Sequence, residues 1–176
     1  MNMEYKVNGR TYEVIQEIGH GKGGYCYLVK CDDGNLYALK KMHHEPCDFY
    51  QFDDKMKSEL EDYERLKDNV LLPKMIDYDI DQEIVIKEYI DGDNIVDLIK
   101  NDVNIEKYVE DVRSMAERCQ KHNLNIDYFP TNFIVKGNRL YYVDYECNDY
   151  MEEWNFENWG IKYWSKTREF LDYFNK

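Results

Sequence analysis

Residues 1–90 contain short runs in which apolar and polar positions alternate, the pattern of β-strands with one buried face. The runs are interrupted by the glycine-rich segment 19–24 and by Asp33-Gly34, where both residue types tolerate the positive φ of a tight hairpin turn. The pattern predicts strands at 12–18, 25–30, 36–42, 74–78 and 83–90.

One helix is predicted among these strands, because the apolar residues of segment 52–69 recur at helical spacing. The helix must end before Pro73, since proline disfavours helical geometry in the residue that precedes it. Its apolar stripe consists of Met56, Leu60, Tyr63 and Leu66.

From Gly92 onward the pattern becomes mainly helical. The clearest stripe, from Ile105 to Cys119, predicts a long amphipathic helix. These elements predict an α+β fold with a β-rich half at 1–90 and a reduced helical half at 91–176, together forming one domain. The later elements are a loop at 123–131, a hairpin of 132–135 and 139–144 that turns at Gly137-Asn138, and a helix near 167–174.

The composition of the chain narrows the cellular compartment and the classes of binding partner that are expected. The net charge of −13 disfavours binding to a phosphate backbone, so nucleic acid is not an expected partner. The five cysteines contain no Cys-x-x-Cys pair, which favours reduced thiols over a zinc or disulfide framework. Without a secretion signal or an apolar run near the roughly 20 residues that cross a bilayer, the chain is expected to be cytoplasmic, without membrane contact.

Gly19, Gly21 and Gly24 form a Gly-x-Gly-x-x-Gly pattern between two predicted strands. Glycines at this spacing let backbone N–H groups approach phosphate without a Cβ clash. Alone, the pattern is equally compatible with a glycine-rich hairpin. A dinucleotide-binding fold requires a helix after the glycines, whereas segment 25–30 has the pattern of a strand.

Lys40 and Glu59 are a candidate ion pair. Lys40 follows the apolar Ala38 on a predicted strand and can present its ammonium group to phosphates. At about 100° per residue, Glu59 falls within the apolar stripe of the predicted helix. A carboxylate there needs a partner that offsets desolvation, and Lys40 is the natural candidate. The alternatives are a solvated strand lysine and a boundary glutamate that reaches solvent.

Asp127, Asn132 and Asp144 are candidates for catalysis and metal binding. The first two lie in the loop after the long helix, and the third ends the predicted hairpin. One carboxylate can accept a proton from a hydroxyl, while Asp and Asn oxygens are the hard ligands that Mg²⁺ prefers. Turn chemistry also favours Asp and Asn in loops, but the joint spacing favours a catalytic loop.

The histidines and the aromatic tail have simpler interpretations. His43, His44 and His122 show no metal-ligand spacing and are interpreted as surface residues. The aromatic residues of the tail are interpreted as packing residues rather than a ligand cage. They are Trp154, Phe156, Trp159 and Trp164.

The order of glycine-rich loop, strand lysine, helix glutamate, Asp-x-x-x-x-Asn and final aspartate resembles the protein-kinase superfamily over residues 12–146. The resemblance implies a two-lobed fold with a five-stranded N-lobe sheet plus one helix, a truncated helical C-lobe, and ATP between the lobes. It further implies that Gly19, Gly21 and Gly24 lie over the phosphates, that Lys40 contacts the α- and β-phosphates, and that Glu59 holds Lys40. Asp127 would be the catalytic base, and Asn132 and Asp144 would bind Mg²⁺. The further nucleotide-binding residues that it implies are Ala38, Glu88 and Ile90.

The chain departs from the family pattern at several points. Asp144-Tyr145-Glu146 replaces Asp-Phe-Gly and is similar to aminoglycoside and other small-molecule phosphotransferases. Asn125-Ile126 stand where His-Arg is usual. No Ala-Pro-Glu follows, similar to the RIO kinases and the KEOPS-type kinases, which lack a long activation segment. Lys87 aligns with the gatekeeper, which is normally uncharged.

These features predict an ATP- and Mg²⁺-dependent phosphotransferase, best described as a minimal serine/threonine protein kinase. A small-molecule kinase, an ATP-binding pseudokinase and an ATPase subunit that works with a protein partner remain alternatives. The motifs do not name the hydroxyl acceptor, because acceptor choice resides in surface shape.

Overall fold

A computed structural model describes residues 3–21, 23–45 and 54–175. The predicted helix start at Phe52 and one of the cysteines, Cys47, lie outside the described residues. The chain divides into two compact units. The first comprises Met1–Glu61 and Pro73–Tyr89, and the second comprises Asp62–Leu72 and Ile90–Lys176.

Strands of the first unit form one antiparallel sheet. Its members are β1 (Glu4–Val7), β2 (Arg10–His20), β3 (Gly24–Cys31), β4 (Leu36–Met42), β5 (Met75–Asp79) and β6 (Ile84–Glu88). The 6-stranded order is β1-β2-β3-β4-β6-β5, so the prediction of five strands is wrong. The additional strand, β1, joins β2 through a turn at Asn8 and Gly9, whose φ angles are 48° and 83°. With only Tyr5 and Val7 as apolar positions, β1 is too short for its alternation to stand out.

The apolar core of the first unit lies against this sheet. Because successive side chains of a strand point to opposite faces, each strand contributes every second residue to one face. Full burial of one such side chain stabilises the fold by about 1.5–3 kcal/mol. The most buried cluster contains Val7, Tyr12, Val29, Cys31, Leu39, Ile84 and Ile86.

Helix α1 (Lys55–Leu66) carries the predicted apolar stripe. It begins after Asp54, whose side chain accepts the N–H of Lys57 at 2.9 Å and so satisfies one free donor of the first turn. It ends at Leu66 rather than at 69, because the carbonyl of Leu66 accepts the N–H groups of both Asn69 and Val70 in a closing turn.

Three α-helices of the described residues lie entirely within the second unit: α2 (Ile95–Lys100), α3 (Glu106–Lys121) and α4 (Arg168–Phe174). The buried side of α3 carries part of the predicted stripe, including Val112 and Cys119. The final helix begins after Thr167, whose hydroxyl accepts the N–H of Phe170 at 3.1 Å. Helix α2 was not predicted from the sequence. No helix in the described part of the chain is long and apolar enough to span a bilayer.

Short strands complete the second unit. They are β7 (Asp93–Asn94), β8 (Leu124–Ile126), β9 (Phe133–Lys136), β10 (Arg139–Tyr142) and β11 (Cys147–Asp149). The β9–β10 hairpin turns at Gly137 and Asn138, with φ of 57° and 61°, which confirms the predicted turn. Strand β8 pairs with β11 and occupies part of segment 123–131, where only a loop was predicted. That prediction is wrong because pairing with a distant strand, invisible in local sequence, orders the segment.

The aromatic tail packs within the second unit. Phe156 and Trp164 are 1% and 2% exposed, and the indole N–H of Trp164 donates to the carbonyl of Tyr128 at 2.8 Å. The packing interpretation is confirmed for these two residues. Trp154, in contrast, is 49% exposed. The aromatic tail therefore supports the segment that carries Asp127 through packing and this hydrogen bond.

Candidate functional site

The glycine pattern of the first unit forms the end of the β2–β3 hairpin. Strand β2 continues through Gly19, which pairs with Cys26, and β3 begins at Gly24. The N–H of Gly21 donates to the carbonyl of Gly24 at 3.0 Å and closes the turn. A Cβ on Gly24 would lie 2.5 Å from the carbonyl oxygen of Lys41, so only glycine permits this approach of β3 to β4. Gly24 therefore has a packing role in the sheet.

Lys40 extends toward this turn from the centre of β4. It pairs in register with Cys26 of β3, which places it near the hairpin end. A Cβ built on Gly23 would lie 3.8 Å from Nζ of Lys40. Gly23 is thus the glycine next to the ammonium group, although it falls outside the Gly-x-Gly-x-x-Gly positions.

Glu59 of α1 contacts two lysines. Its carboxylate lies 3.0 Å from Nζ of Lys40 and 2.8 Å from Nζ of Lys87. The side chains of Glu59 and Lys87 are 9% and 6% exposed, and that of Lys40 is 18% exposed. The ion pair between Lys40 and Glu59 proposed from the sequence is therefore present, with Lys87 as an additional partner.

The electrostatics of Glu59 follow from this arrangement. Burial alone would raise the pKa of its carboxyl group, because the charged form loses hydration. The ammonium groups of Lys40 and Lys87 oppose this effect and lower the pKa to about 2. Glu59 is therefore ionised throughout the physiological range.

Lys87 stands at the position that the kinase resemblance aligns with the gatekeeper. It lies on β6, pairs in register with Ala38 of β4, and is 5% exposed. The unusual charge at this position is therefore located inside the first unit. The sequence contains one signal for it, because Lys87 continues the apolar run Ile84–Ile86, which is buried at every residue.

The further predicted nucleotide-binding residues lie on β4, at the end of β6 and just beyond it: Ala38, Glu88 and Ile90. Ala38 is 9% exposed, and Ile90 is 4% exposed. The main-chain N–H of Glu88 donates to the carbonyl of Lys74 at 2.8 Å, and its carboxylate accepts the N–H of Lys74 at 3.1 Å. The amide of Glu88 is thus already engaged within the first unit.

Asp127 and Asn132 lie together in the second unit, just after β8. The Oδ1 atom of Asp127 accepts the N–H of Phe129 at 3.1 Å in an Asx-type turn. The side-chain amide nitrogen of Asn132 donates to the carbonyl of Asp127 at 3.3 Å. With its nitrogen used there, Asn132 has its side-chain oxygen as the atom suited to a metal.

Asp144 follows β10 and lies beside the same loop. The N–H of Val143 donates to the carbonyl of Asn132 at 2.9 Å, which ties the two segments together. The carboxylate of Asp144 accepts the N–H groups of Tyr145 and Glu146 at 2.7 and 3.3 Å. The second unit therefore brings Asp127, Asn132 and Asp144 into one neighbourhood.

Tyr142 links both arms of this loop and was not identified from the sequence. Its hydroxyl accepts the N–H of Asp127 at 3.2 Å and donates to the carbonyl of Glu146 at 2.8 Å. Burial, together with the negative charges of Asp144 and Asp127, raises the pKa of Tyr142 well above its usual value. The phenol stays neutral and can hold both bonds at once.

Each unit thus presents a distinct chemistry. The first unit offers an ammonium group fixed by a carboxylate beside a glycine turn, a combination that suits phosphate oxygens. The second offers carboxylate and amide oxygens, the hard ligands that Mg²⁺ prefers. Both halves of the predicted donor set are therefore assembled within their own units.

Comparison with known proteins shows a distant similarity to serine/threonine-protein kinases. No protein-family model matches the chain. A probable serine/threonine-protein kinase of Dictyostelium discoideum is 26% identical over 103 residues, which cover 54% of this chain and 12% of that protein. The serine/threonine-protein kinase MPS1 of Saccharomyces cerevisiae is 26% identical over 149 residues, covering 79% of this chain and 19% of that protein. The chain therefore spans less than a fifth of either curated relative.

Proposed function

We propose that the chain has a two-lobed, kinase-like fold and is an ATP- and Mg²⁺-dependent phosphotransferase that phosphorylates serine or threonine hydroxyl groups of proteins. The distant similarity to serine/threonine-protein kinases supports this reaction class. The observation that carries the proposal is the pair of Lys40 and Glu59 beside the glycine turn.

A largely buried ion pair needs a reason beyond stability. Desolvation of two charges can exceed their mutual attraction, and apolar replacements are often neutral or stabilising. Glu59 nevertheless meets two lysines at 3.0 and 2.8 Å within the first unit. Fixing the ammonium group of Lys40 next to the turn supports a role in holding phosphate oxygens.

The second unit supplies the remaining groups of the proposal. Asn132 and Asp144 would hold Mg²⁺, which when bound neutralises phosphate charge. Asp127 would orient the acceptor hydroxyl and take its proton as the new O–P bond forms and the bond between the γ-phosphorus and the leaving oxygen of ADP breaks. The hydroxyl of Tyr142 would position Asp127 by accepting a hydrogen bond from the main-chain N–H of Asp127.

The test is phosphate transfer from γ-labelled ATP by the purified full chain, with MgCl₂ and a degenerate mixture of serine- and threonine-containing peptides. We expect Lys40→Met, Asp127→Asn and Asp144→Asn each to lower transfer at least about 100-fold, because each removes a group that stabilises the transferred phosphoryl or positions its acceptor. Asp149→Asn is the matched control, since the Asp149 side chain is 78% exposed and pairs with Arg65.

Three outcomes would contradict the proposal. If the Asp144→Asn variant transferred phosphate at the wild-type rate, Asp144 would not be a ligand of Mg²⁺. Binding of Mg-ATP without transfer to any acceptor would favour a pseudokinase. Release of free phosphate without labelled peptide, increased by a protein partner, would favour an ATPase subunit.

A further inference from the structure

His20, His43 and Glu45 form a cluster of metal-ligand side chains in the first unit. His20 is the last residue of β2, while His43 and Glu45 follow β4. Their potential ligand atoms all lie within 4.8 Å of one another. The local sequence gives no sign of this group, because the hairpin brings together residues that are distant along the chain.

Hydrogen bonds already orient two of the three side chains. Nε2 of His43 lies 2.8 Å from the carbonyl oxygen of Gly21, so this nitrogen carries the proton and Nδ1 keeps a lone pair. A backbone carbonyl that fixes the tautomer in this way is typical of metal-binding histidines. The N–H of Glu45 approaches Nδ1 at 3.3 Å and would give way to an ion.

Tyr25 supports the cluster from β3. Its hydroxyl donates to Oε1 of Glu45, which leaves Oε2 facing Nε2 of His20 at 3.7 Å. The His20 ring stacks on the Tyr25 ring with centroids 4.3 Å apart, and the His43 ring lies 5.2 Å from it. One aromatic side chain therefore contacts all three candidate ligands.

We propose that His20, His43 and Glu45 bind a transition-metal ion of the Zn²⁺ class, with water completing the coordination. Two imidazoles and one carboxylate match the ligands of zinc, whereas Mg²⁺ and Ca²⁺ prefer oxygen throughout. Ligand atoms about 2.1 Å from a tetrahedral zinc ion lie about 3.4 Å apart. The 3.7 Å between His20 and Glu45 therefore requires little movement.

The ion would join the end of β2 to the segment after β4. Because His43 also binds the carbonyl of Gly21, the metal would brace one side of the glycine turn. The site is separate from the Mg²⁺ ligands of the proposed function, since it contains none of Asp127, Asn132 or Asp144. It can therefore be tested whether or not the chain transfers phosphate.

The experiment is titration of the full chain with Zn²⁺ by calorimetry and with Co²⁺ by visible absorption, at pH 7 and with MgCl₂ present. We expect one equivalent to bind, and His20→Gln, His43→Gln and Glu45→Gln each to weaken binding at least about tenfold. His44→Gln is the matched control, because His44 is adjacent in sequence but pairs with Glu83 at 2.7 Å. Its affinity should stay within about twofold of wild type.

A measurement on the unmodified chain keeps the test independent of variant folding. Zn²⁺ should protect His20 and His43 from modification by diethyl pyrocarbonate, while His44 and His122 react as before. Equal reactivity of all four with and without Zn²⁺ would overturn the proposal. So would a Co²⁺ spectrum dominated by thiolate bands, or equal loss of affinity in His44→Gln.

Discussion

Replacing Glu59 by glutamine leaves the ammonium groups of Lys40 and Lys87 facing a neutral amide inside the first unit. Both nitrogens lie within hydrogen-bonding distance of the native carboxylate, at 3.0 and 2.8 Å, so both lose the charge that offsets their desolvation. The lowering of the Glu59 pKa from 4.5 to about 2 corresponds to about 3 kcal/mol. We expect Glu59→Gln to reduce the free energy of unfolding by about this amount at pH 7.

The pH dependence of this effect has a definite sign. Because the pKa of Glu59 is lowered in the folded state, the unfolded chain takes up the proton first as the pH falls. Its contribution is complete well above pH 4.5 and is lost as the pH falls toward about 2. At pH 3 about 2 kcal/mol should be gone, so the difference between wild type and Glu59→Gln narrows to about 1 kcal/mol.

Urea unfolding followed by far-ultraviolet circular dichroism, which reports both units, measures this difference at pH 7, 5, 4 and 3. The matched control is Glu61→Gln on the same helix, because the Glu61 side chain is 62% exposed and lies 3.9 Å from Lys57. Its effect should stay within about 0.5 kcal/mol. Adding Lys87→Met to Glu59→Gln removes one buried ammonium group and should recover at least about 1 kcal/mol.

Three results would refute this reasoning about Glu59. A loss below about 1 kcal/mol at pH 7 would mean that the lysines do not depend on the carboxylate. A difference that stays the same from pH 7 to pH 3 would mean that its pKa is not lowered on folding. A loss in Glu61→Gln equal to that in Glu59→Gln would attribute the effect to the helix as a whole.

Two further predictions concern the glycine turn and the loop of the second unit. Gly24→Ala should destabilise by about 2 kcal/mol and lower Tm by about 4–8 °C, since its Cβ would lie 2.5 Å from the Lys41 carbonyl. Gly21→Ala, where a Cβ would meet no atom within 4 Å, should leave Tm nearly unchanged, and equal melting of both variants would contradict the packing role. Tyr142→Phe should cost about 1–2 kcal/mol and, if the proposed function holds, lower kcat about tenfold with a smaller change in KM for ATP. The neighbouring Tyr141→Phe is its control, and identical kinetics for the two variants would exclude a positioning role for Tyr142.

Local sequence was sufficient to predict many of the elements. Strand β4 was predicted at its observed bounds, and the stripe of α3 was recognised from its spacing. The turn at Gly137-Asn138 followed from the residue types that tolerate positive φ. These features depend on periodicity and backbone preference within one segment, which is why a single sequence was enough to identify them.

The part of the candidate site that sequence motifs describe could be predicted. Lys40 and Glu59 were paired from the sequence because a carboxylate on an apolar stripe requires a partner. The roles of Ala38, Glu88 and Ile90 toward a nucleotide stay predictions. The burial and main-chain hydrogen bonds of these residues are contacts within the protein, without a nucleotide.

Tertiary structure decided the features that depend on which distant segments meet. Lys87 reaches Glu59 because β6 lies beside β4. The hydroxyl of Tyr142, at the end of β10, meets the main-chain N–H of Asp127, which follows β8. The grouping of His20, His43 and Glu45 likewise follows from hairpin pairing rather than from spacing. The sequence by itself determined which side chains could carry charge, bind metal or be buried. Only folding determined their partners, because partner choice depends on strand pairing and helix packing between residues far apart in the chain.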